Sequence, residues 1–194
     1  MPYSREHKAK SRAKIIEAAR VLFNRHGFHE VTIDQVMKQA GLTRGGFYAH
    51  FENKEQLFGL AMQSFLHGRG ARWRNEAGVD LSQLNPQMAR RMIDSYLSVK
   101  HLTDVDGQCP MIALPSDVAR AGADTQDAYQ ELLRAMVWLF ECNLPEEENA
   151  RRTALSLAAI CVGGMVLARA LPNSQLANEV REAAHNTATT MTKS

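Results

Sequence analysis

The chain has 194 residues, 45% of them hydrophobic and 23% charged, which is the composition of an ordinary globular protein of one or two domains. This composition excludes intrinsic disorder, collagen and a simple coiled coil. The formal net charge is only +2, but residues 1 to 74 carry a net +7 and residues 75 to 194 a net −5. An overall charge near zero therefore hides a basic N-terminal part that suits an anionic partner.

Three widely spaced cysteines, at positions 109, 142 and 161, form no CxxC pair. This spacing argues against a disulfide framework and against a zinc site, so we expect no metal and no cofactor. The basic N-terminus is followed by an amphipathic stretch, which does not resemble a secretory signal. The apolar run at 154 to 168 is shorter than the roughly 20 residues of a membrane span. We therefore expect a cytoplasmic protein with no membrane partner, in which this run is a buried helix.

Apolar residues recur at spacings of three and four along the whole chain, and this pattern predicts an all-α fold. The first helix is expected to end at Gly27. Thr32 and Gln35 form a capping box that starts a second helix, which Gly41 ends in a left-handed conformation. A second very short helix is expected after Thr43. Two short helices joined by a tight turn predict a helix-turn-helix within residues 1 to 56.

The remaining residues, 57 to 194, are predicted to form a larger domain of longer helices. A helix that starts at Asn53 is expected to continue to about Trp73, and a further helix is expected at 86 to 101. A loop at 103 to 110 precedes a short helix that starts at Pro115. The last three helices are expected at 126 to 142, 150 to 170 and 174 to 190.

The segment from Thr43 to Lys54, TRGGFYAHFENK, carries most of the chemical information. Its two glycines each cost about 1 kcal/mol in a helix relative to alanine. Such a bare backbone allows close approach to the major groove of DNA; the alternative is that the glycines only permit tight helix crossing. Lys54, in a helix's first turn, opposes the helix dipole unless it shares an anion such as a phosphate with the free N–H groups. The alternative for Lys54 is a solvated lysine.

Residues 15 to 57 resemble the DNA-binding domain of TetR/AcrR-family transcriptional regulators. The matching motifs are AA-x-x-LF, G-F before V-T-I, A-G-L-T, G-G-F-Y-x-H-F and N-K-E-x-L. The resemblance implies that base or groove contacts to double-stranded DNA come from Arg44, Gly45, Tyr48 and His50. It implies that phosphate contacts come from Thr32, Thr43 and Lys54.

The resemblance also implies a homodimeric, ligand-responsive repressor that binds a near-palindromic operator and is released by a small-molecule effector, which we expect to be largely apolar. Adaptable methionines and large aromatic residues are candidates for the ligand site, although such residues usually form an ordinary core. These candidates are Met88, Met92, Tyr96, Met111, Met136, Trp138, Phe140 and Met165, and Cys109 is included with them. An alternative is a redox- or electrophile-sensing repressor that acts through Cys109, for which the nearby Asp104 and Asp106 would raise the thiol pKa.

The apolar helix at 150 to 170 either lies in the core or is shared with a second subunit. Candidates for a dimer interface are Leu155, Ala159, Val162, Gly163, Val166, Val180 and Ala184. The sequence carries no HExxH, GxSxG, phosphate-loop or nucleotide-binding motif, so we do not expect an enzyme. A helical adaptor without DNA binding would leave the basic N-terminal part unexplained.

Overall fold

The computed structural model describes residues 5–145, 149–172 and 174–192. These residues form helices and no strand, which confirms the all-α prediction. The elements are α1 (Arg5–Glu30), α2 (Ile33–Gln39), a 3₁₀ helix (Arg44–Ala49), α3 (Lys54–His67), α4 (Arg69–Glu76), α5 (Pro86–Tyr96), α6 (Val99–Thr103), α7 (Pro110–Ala113), α8 (Pro115–Val118), α9 (Ala123–Glu141), α10 (Ala150–Ala170) and α11 (Gln175–Met191).

Local sequence signals set the boundaries of the first helices. The Gln35 N–H donates to Thr32 Oγ1 at 3.2 Å and the Thr32 N–H donates to Gln35 Oε1 at 2.7 Å, which confirms the capping box. Gly41 has the predicted left-handed conformation, with φ 71°. Gly27, with φ 77° and ψ 172°, breaks the helical geometry of α1 without ending it, because the chain turns helical again as far as Glu30.

The second short helix of the predicted helix-turn-helix is a 3₁₀ helix. Thr43 occupies its N-cap position, but the Thr43 side chain makes no capping hydrogen bond. Two consecutive glycines and the missing cap both weaken an α-helix. Residues 44–49 therefore depend on tertiary packing for their conformation.

Two of the long helices predicted in the second domain are each divided in two. The helix expected to reach Trp73 is interrupted at Gly68, with φ −99° and ψ −105°. The helix expected at 86 to 101 ends at Tyr96, and α6 then starts with Ser98 as its cap, because the His101 N–H donates to Ser98 Oγ at 3.0 Å. The short helix α7 was not predicted; it begins at Pro110, where the predicted loop ends.

Helix α10 lies at the centre of the C-terminal part and packs against α9 and α11. Its buried face includes Leu157, Cys161 and Met165. A Cβ built on Gly164 would lie 2.5 Å from Ala184 Cβ, so α10 and α11 approach each other closely at this glycine. By length and composition α10 would also pass as a membrane span, a test that core helices of soluble proteins pass as well.

Two of the connections between the N-terminal helices and the rest of the chain involve α3 and the residues that follow α6. The first is α3, which continues through the predicted boundary between residues 56 and 57. The second is the segment 104–109, here called the connector, which hydrogen-bonds α1: Arg20 Nη1 donates to Asp106 O at 2.5 Å and Asn24 Nδ2 to Gln108 O at 2.7 Å. Arg169 of α10 joins this network, with Nη2 donating to Asn24 O at 2.5 Å.

Candidate nucleic-acid interface and internal cavity

The 3₁₀ helix presents an exposed polar face over a buried aromatic base. Phe47 and Phe51 are buried, with ring centroids 5.4 Å apart, and hold the segment against the core. Tyr48 is 63% exposed, and Arg44 and Gly45 are exposed as well. The structure therefore brings Arg44, Gly45 and Tyr48 together on one short, solvent-facing segment, as the sequence pattern predicts.

The surroundings of the two glycines distinguish the alternatives for this segment. A Cβ on Gly45 would meet no atom within 4 Å, whereas a Cβ on Gly46 would lie 3.6 Å from Met37 Cε. Neither glycine is needed for a close helix crossing, because neither added carbon would clash. The bare backbone at Gly45 is thus available to another molecule.

Arg44 forms an ion pair that the sequence did not suggest. Its Nη1 lies 2.8 Å from Asp34 Oδ2 on α2, and the side chains of Arg44 and Asp34 are 68% and 56% exposed. A pair exposed to this degree contributes about 0 to 1 kcal/mol. The Arg44 guanidinium can therefore exchange Asp34 for another anion at little cost.

His50 lies at the edge of a groove between α1 and the 3₁₀ helix. This groove also contains Lys8, Ser11, Thr43 and Gly46. Burial is the main cause that lowers the pKa of His50, and the positive charges of Lys8 and Arg12 lower it further. The same two charges make the groove attractive to an anion. Lys8 and Arg12 were missed in the site prediction, although the cluster of basic residues in the first fourteen positions was a usable signal.

Lys54 has partners within the fold itself. Its ammonium nitrogen donates to Phe28 O at 2.9 Å and to Val31 O at 3.0 Å, and it lies 4.2 Å from the centroid of the Phe28 ring. The unfavourable position in the first turn of α3 is thus offset by carbonyl groups at the end of α1, so no external anion is required to explain it. A phosphate contact from Lys54, like those from Thr32 and Thr43, stays a prediction.

An apolar cavity of about 50 Å³ lies between α3, α4, α5 and α9. Five of the predicted ligand-site residues line this cavity: Met92, Tyr96, Cys109, Met111 and Met136. A volume of 50 Å³ holds a few water molecules. In this conformation the helices thus leave too little space for the effector expected from the sequence.

Four further candidates do not line this cavity. Met88, Phe140 and Met165 are buried elsewhere in the core, and Trp138 is 49% exposed. The helical period explains two of these positions. The wall formed by α9 consists of residues spaced three and four apart, namely Leu132, Ala135, Met136 and Leu139, so Trp138 and Phe140 point in other directions.

Sequence reasoning missed the cavity residues that come from α4 and α6. Trp73 and Arg74 of α4 and His101 of α6 contribute to the wall. The His101 ring packs against Trp73 and Tyr96, with centroid distances of 5.8 and 4.8 Å. The aromatic ring of Trp73 was the only local signal, because the contacts depend on how α4 folds back after Gly68.

The surroundings of Cys109 do not favour a reactive thiol. It is 2% exposed, and burial raises its pKa to about 11. Because the thiolate is the reactive form, a thiol that stays protonated at neutral pH reacts slowly with oxidants and electrophiles. The alternative of a sensor acting through Cys109 is therefore not favoured. Burial raises the pKa of the Cys109 thiol, and the nearby Asp104 and Asp106 are not the cause.

The candidate dimer residues form an apolar stripe on the outer side of α10 and α11. Leu155 and Ala159 are exposed, and Val162, Gly163, Val166 and Val180 are partly buried. Ala184 contributes less to this surface than expected because it packs against Gly164 inside the same chain. Leu167 and Leu176, 58% and 54% exposed, extend the surface and were not predicted.

Comparisons with known proteins agree with the helix-turn-helix geometry. Residues 15–61 match the family described as bacterial regulatory proteins, tetR family. The chain is 42% identical to the HTH-type transcriptional regulator YfiR of Bacillus subtilis over 55 residues, and this aligned stretch covers 28% of this chain and 27% of YfiR. Over 49 residues it is 45% identical to the probable acrEF/envCD operon repressor of Escherichia coli K12, covering 25% and 22% of the two chains.

These alignments span only about a quarter of each of these two relatives. The fold is shared over a much longer stretch. The crystal structure of Escherichia coli NemR in its reduced form superimposes with a TM-score of 0.74 and 17% identity, covering 92% of this chain and 94% of NemR. At this identity the likeness shows a common fold.

Proposed function

We propose that the chain is a cytoplasmic transcriptional repressor of the TetR family that binds double-stranded DNA, from the premise that residues 15–61 match this family of bacterial regulatory proteins. The observation that carries the proposal is the exposed 3₁₀ helix, where Arg44 and Tyr48 flank a backbone left bare at Gly45. Lys8 in the adjoining groove, and Arg12 near His50, add positive charge beside it. A small, anchored and exposed element with a basic border suits insertion into the major groove.

A mobility-shift and footprinting experiment on DNA upstream of the chain's own gene tests this proposal. Arg44→Ala should relax the base preference, whereas Lys8→Ala should weaken binding to all sequences alike. Losing one phosphate contact should flatten the slope of log K against log salt by about one unit. Arg134→Ala, an exposed arginine on α9, is the control and should change neither property. Unchanged footprints and slopes in both test variants would contradict the proposal.

The repressor is proposed to act as a homodimer through the outer stripe of α10 and α11. A two-fold axis needs self-complementary surfaces and presents two recognition segments to a near-palindromic operator. The exposed Leu155, Leu167 and Leu176 support this assignment, because contiguous apolar surface on a soluble protein commonly marks an interface. Val162→Asp should abolish dimers and tight DNA binding together in sedimentation and mobility-shift experiments. A wild-type monomer at micromolar concentration would contradict the dimer.

The apolar cavity is proposed as the effector site, with DNA release as its consequence. Two features support a connection between this cavity and the DNA-binding segment. Helix α3 lines the cavity with Phe65 and Leu66 at its C-terminal end and holds α1 through Lys54 at its N-terminal end. The connector supplies Cys109 to the cavity wall and Gln108 to the hydrogen bond with α1.

A cavity of 50 Å³ must open to admit an effector, and its lining makes this possible. Met92, Met111 and Met136 form part of the wall, and methionine side chains adapt easily because they are unbranched and flexible. Filling the space with Met92→Trp should either block release of DNA or mimic it. A variant with this substitution that responds to an effector as the wild type does would exclude the cavity as the effector site.

A further inference from the structure

The cavity has one cationic wall residue without a carboxylate partner, and this inference about its ligand builds on the proposed effector site. Arg74 Nη2 donates to Leu66 O at 3.0 Å. Among the residues that the structure describes, no Asp or Glu lies within 4.0 Å of the Arg74 guanidinium. The pKa of Arg74 is lowered, and burial is the cause. Burial of a charge is unfavourable unless it is paired.

Two other arginines with little exposure are paired with carboxylates, whereas Arg169 is held by two carbonyl oxygens. Arg69, on the same helix α4 and 15% exposed, pairs with Asp104 and Glu76. Arg20, 4% exposed, pairs with Glu17. At Arg74, by contrast, one carbonyl oxygen is the sole hydrogen-bond acceptor among the described residues. No acidic residue lines the cavity either. The position is therefore ready to receive an anion from outside the chain.

A second polar group, on a residue that lines the cavity, also lacks a proper partner. Tyr96 is 5% exposed, and its hydroxyl has no oxygen or nitrogen partner among the described residues. The Cys109 thiol interacts with this hydroxyl, and sulfur is a weak donor and acceptor. A buried hydroxyl left in this state is unfavourable. A ligand that offers it a polar atom therefore gains a hydrogen bond that the empty protein cannot make.

Apart from His101 and Cys109, the remaining wall is apolar, so the site combines one cation, one hydroxyl without an oxygen or nitrogen partner, and adaptable methionines. We infer that the effector is a small organic monocarboxylic acid with an aliphatic or aromatic body. The carboxylate pairs with Arg74 and accepts a hydrogen bond from the Tyr96 hydroxyl, and the body displaces the side chains of Met92 and Met136. Arginine suits this role because its planar guanidinium binds a carboxylate through two parallel hydrogen bonds.

Calorimetric titration of the full-length protein with two matched pairs tests the inference: benzoate against benzamide, and octanoate against octanamide. Each pair keeps the body and removes the charge. The wild type should bind an acid at least tenfold more tightly than its amide. Arg74→Gln should weaken binding of the acid about tenfold and leave the amide unchanged. Arg72→Gln, an exposed arginine two residues away on the same helix, is the control and should retain the preference.

Tyr96→Phe separates binding in the cavity from binding to Arg74 at the surface. This substitution removes only the hydroxyl, so the variant should fold normally and bind the acids more weakly. Equal binding of acid and amide by the wild type, or no binding of any probe at millimolar concentration, would overturn the inference. So would equal weakening of acid and amide in Arg74→Gln. DNA binding by the same wild-type sample distinguishes the two failures: if it persists, the ligand class is wrong and the repressor proposal stands.

Discussion

The adjacent glycines of α10 provide a test of packing in which each variant is the control for the other. A Cβ on Gly164 would lie 2.5 Å from Ala184 Cβ, whereas a Cβ on Gly163 would meet nothing within 4 Å. Carbon atoms pack favourably at about 3.5 to 4.0 Å, so Gly164→Ala must push α10 and α11 apart by roughly 1 Å. Overpacking of this kind costs about 1 to 3 kcal/mol.

The helix propensity gained by replacing glycine with alanine is about 1 kcal/mol in either position. The difference between the two variants therefore isolates the steric effect. Gly164→Ala should be less stable than Gly163→Ala by about 1 to 3 kcal/mol. For a chain of this size, each kcal/mol corresponds to about 2 to 4 °C in Tm. Calorimetry should therefore separate the two midpoints by about 2 to 12 °C.

A second substitution shows whether the contact with Ala184 is the cause. Ala184→Gly should be less destabilising in the Gly164→Ala background than in the wild type, because contacting residues are energetically coupled and the cost of about 1 kcal/mol for glycine in a helix is the same in both. The measurement is made at two protein concentrations, since a subunit contact at Gly163 would make Tm depend on concentration. Equal stability of the two single variants at both concentrations would refute the close approach at Gly164.

Four further predictions concern single positions. Lys54→Met should lower the free energy of unfolding in urea by about 2 kcal/mol, because a charged hydrogen-bond donor and a cation–π contact are lost; an unchanged midpoint would contradict the structural role. Gly45→Ala should keep or raise Tm and yet weaken the mobility shift, so that unimpaired DNA binding would count against this surface. In the native protein, iodoacetamide should label the partly exposed Cys142 and leave Cys109 unlabelled, as mass spectrometry can check; rapid labelling of Cys109 would show that it is accessible. The hydrogen bond from Arg25 lowers the pKa of Asp106. The contribution of this carboxylate to stability is therefore present above its ordinary pKa and is lost as pH falls through the lower folded value. Asp106→Asn should flatten the acid limb of the stability profile below about pH 4, and an identical limb would show that the pair contributes nothing.

Structural features that depend on residues within four positions of each other were predicted correctly. Thr32 with Gln35, and Asn53 with Gln56, start helices at the expected positions because an N-cap needs only a side-chain oxygen and a nearby N–H. Pro86 starts α5 for a similarly local reason, since its fixed φ suits the first helical position. These features form the same bonds in almost any tertiary context.

Features that depend on a distant partner were not predicted. The carbonyl groups that hold Lys54 belong to residues 28 and 31, and no spacing rule connects them. The break at Gly68 places Trp73 and Arg74 against the cavity. No side chain caps the new helix at Gly68, so the sequence gives no clear signal of its start. The apolar pattern of α9 identified a buried face, but not which of its residues border empty space.

The contacts of Arg74 connect the proposed ligand class with the proposed release of DNA. Its guanidinium donates to Leu66 O, near the C-terminal end of α3, and the same helix binds the end of α1 through Lys54. A carboxylate that binds the Nη2 edge of Arg74 competes with the Leu66 carbonyl for that donor, and the stronger, charged acceptor is favoured. An acid that binds there therefore alters how α3 is held at one end, while its amide, with a weaker acceptor, does so less. A usable switch needs about 1 to 3 kcal/mol of coupling, which is the range of one or two charge-assisted hydrogen bonds. Arg74→Gln should accordingly reduce the release of DNA by benzoate or octanoate at saturation as well as their affinity, and full release at saturating acid would show that the signal reaches α1 through the connector instead.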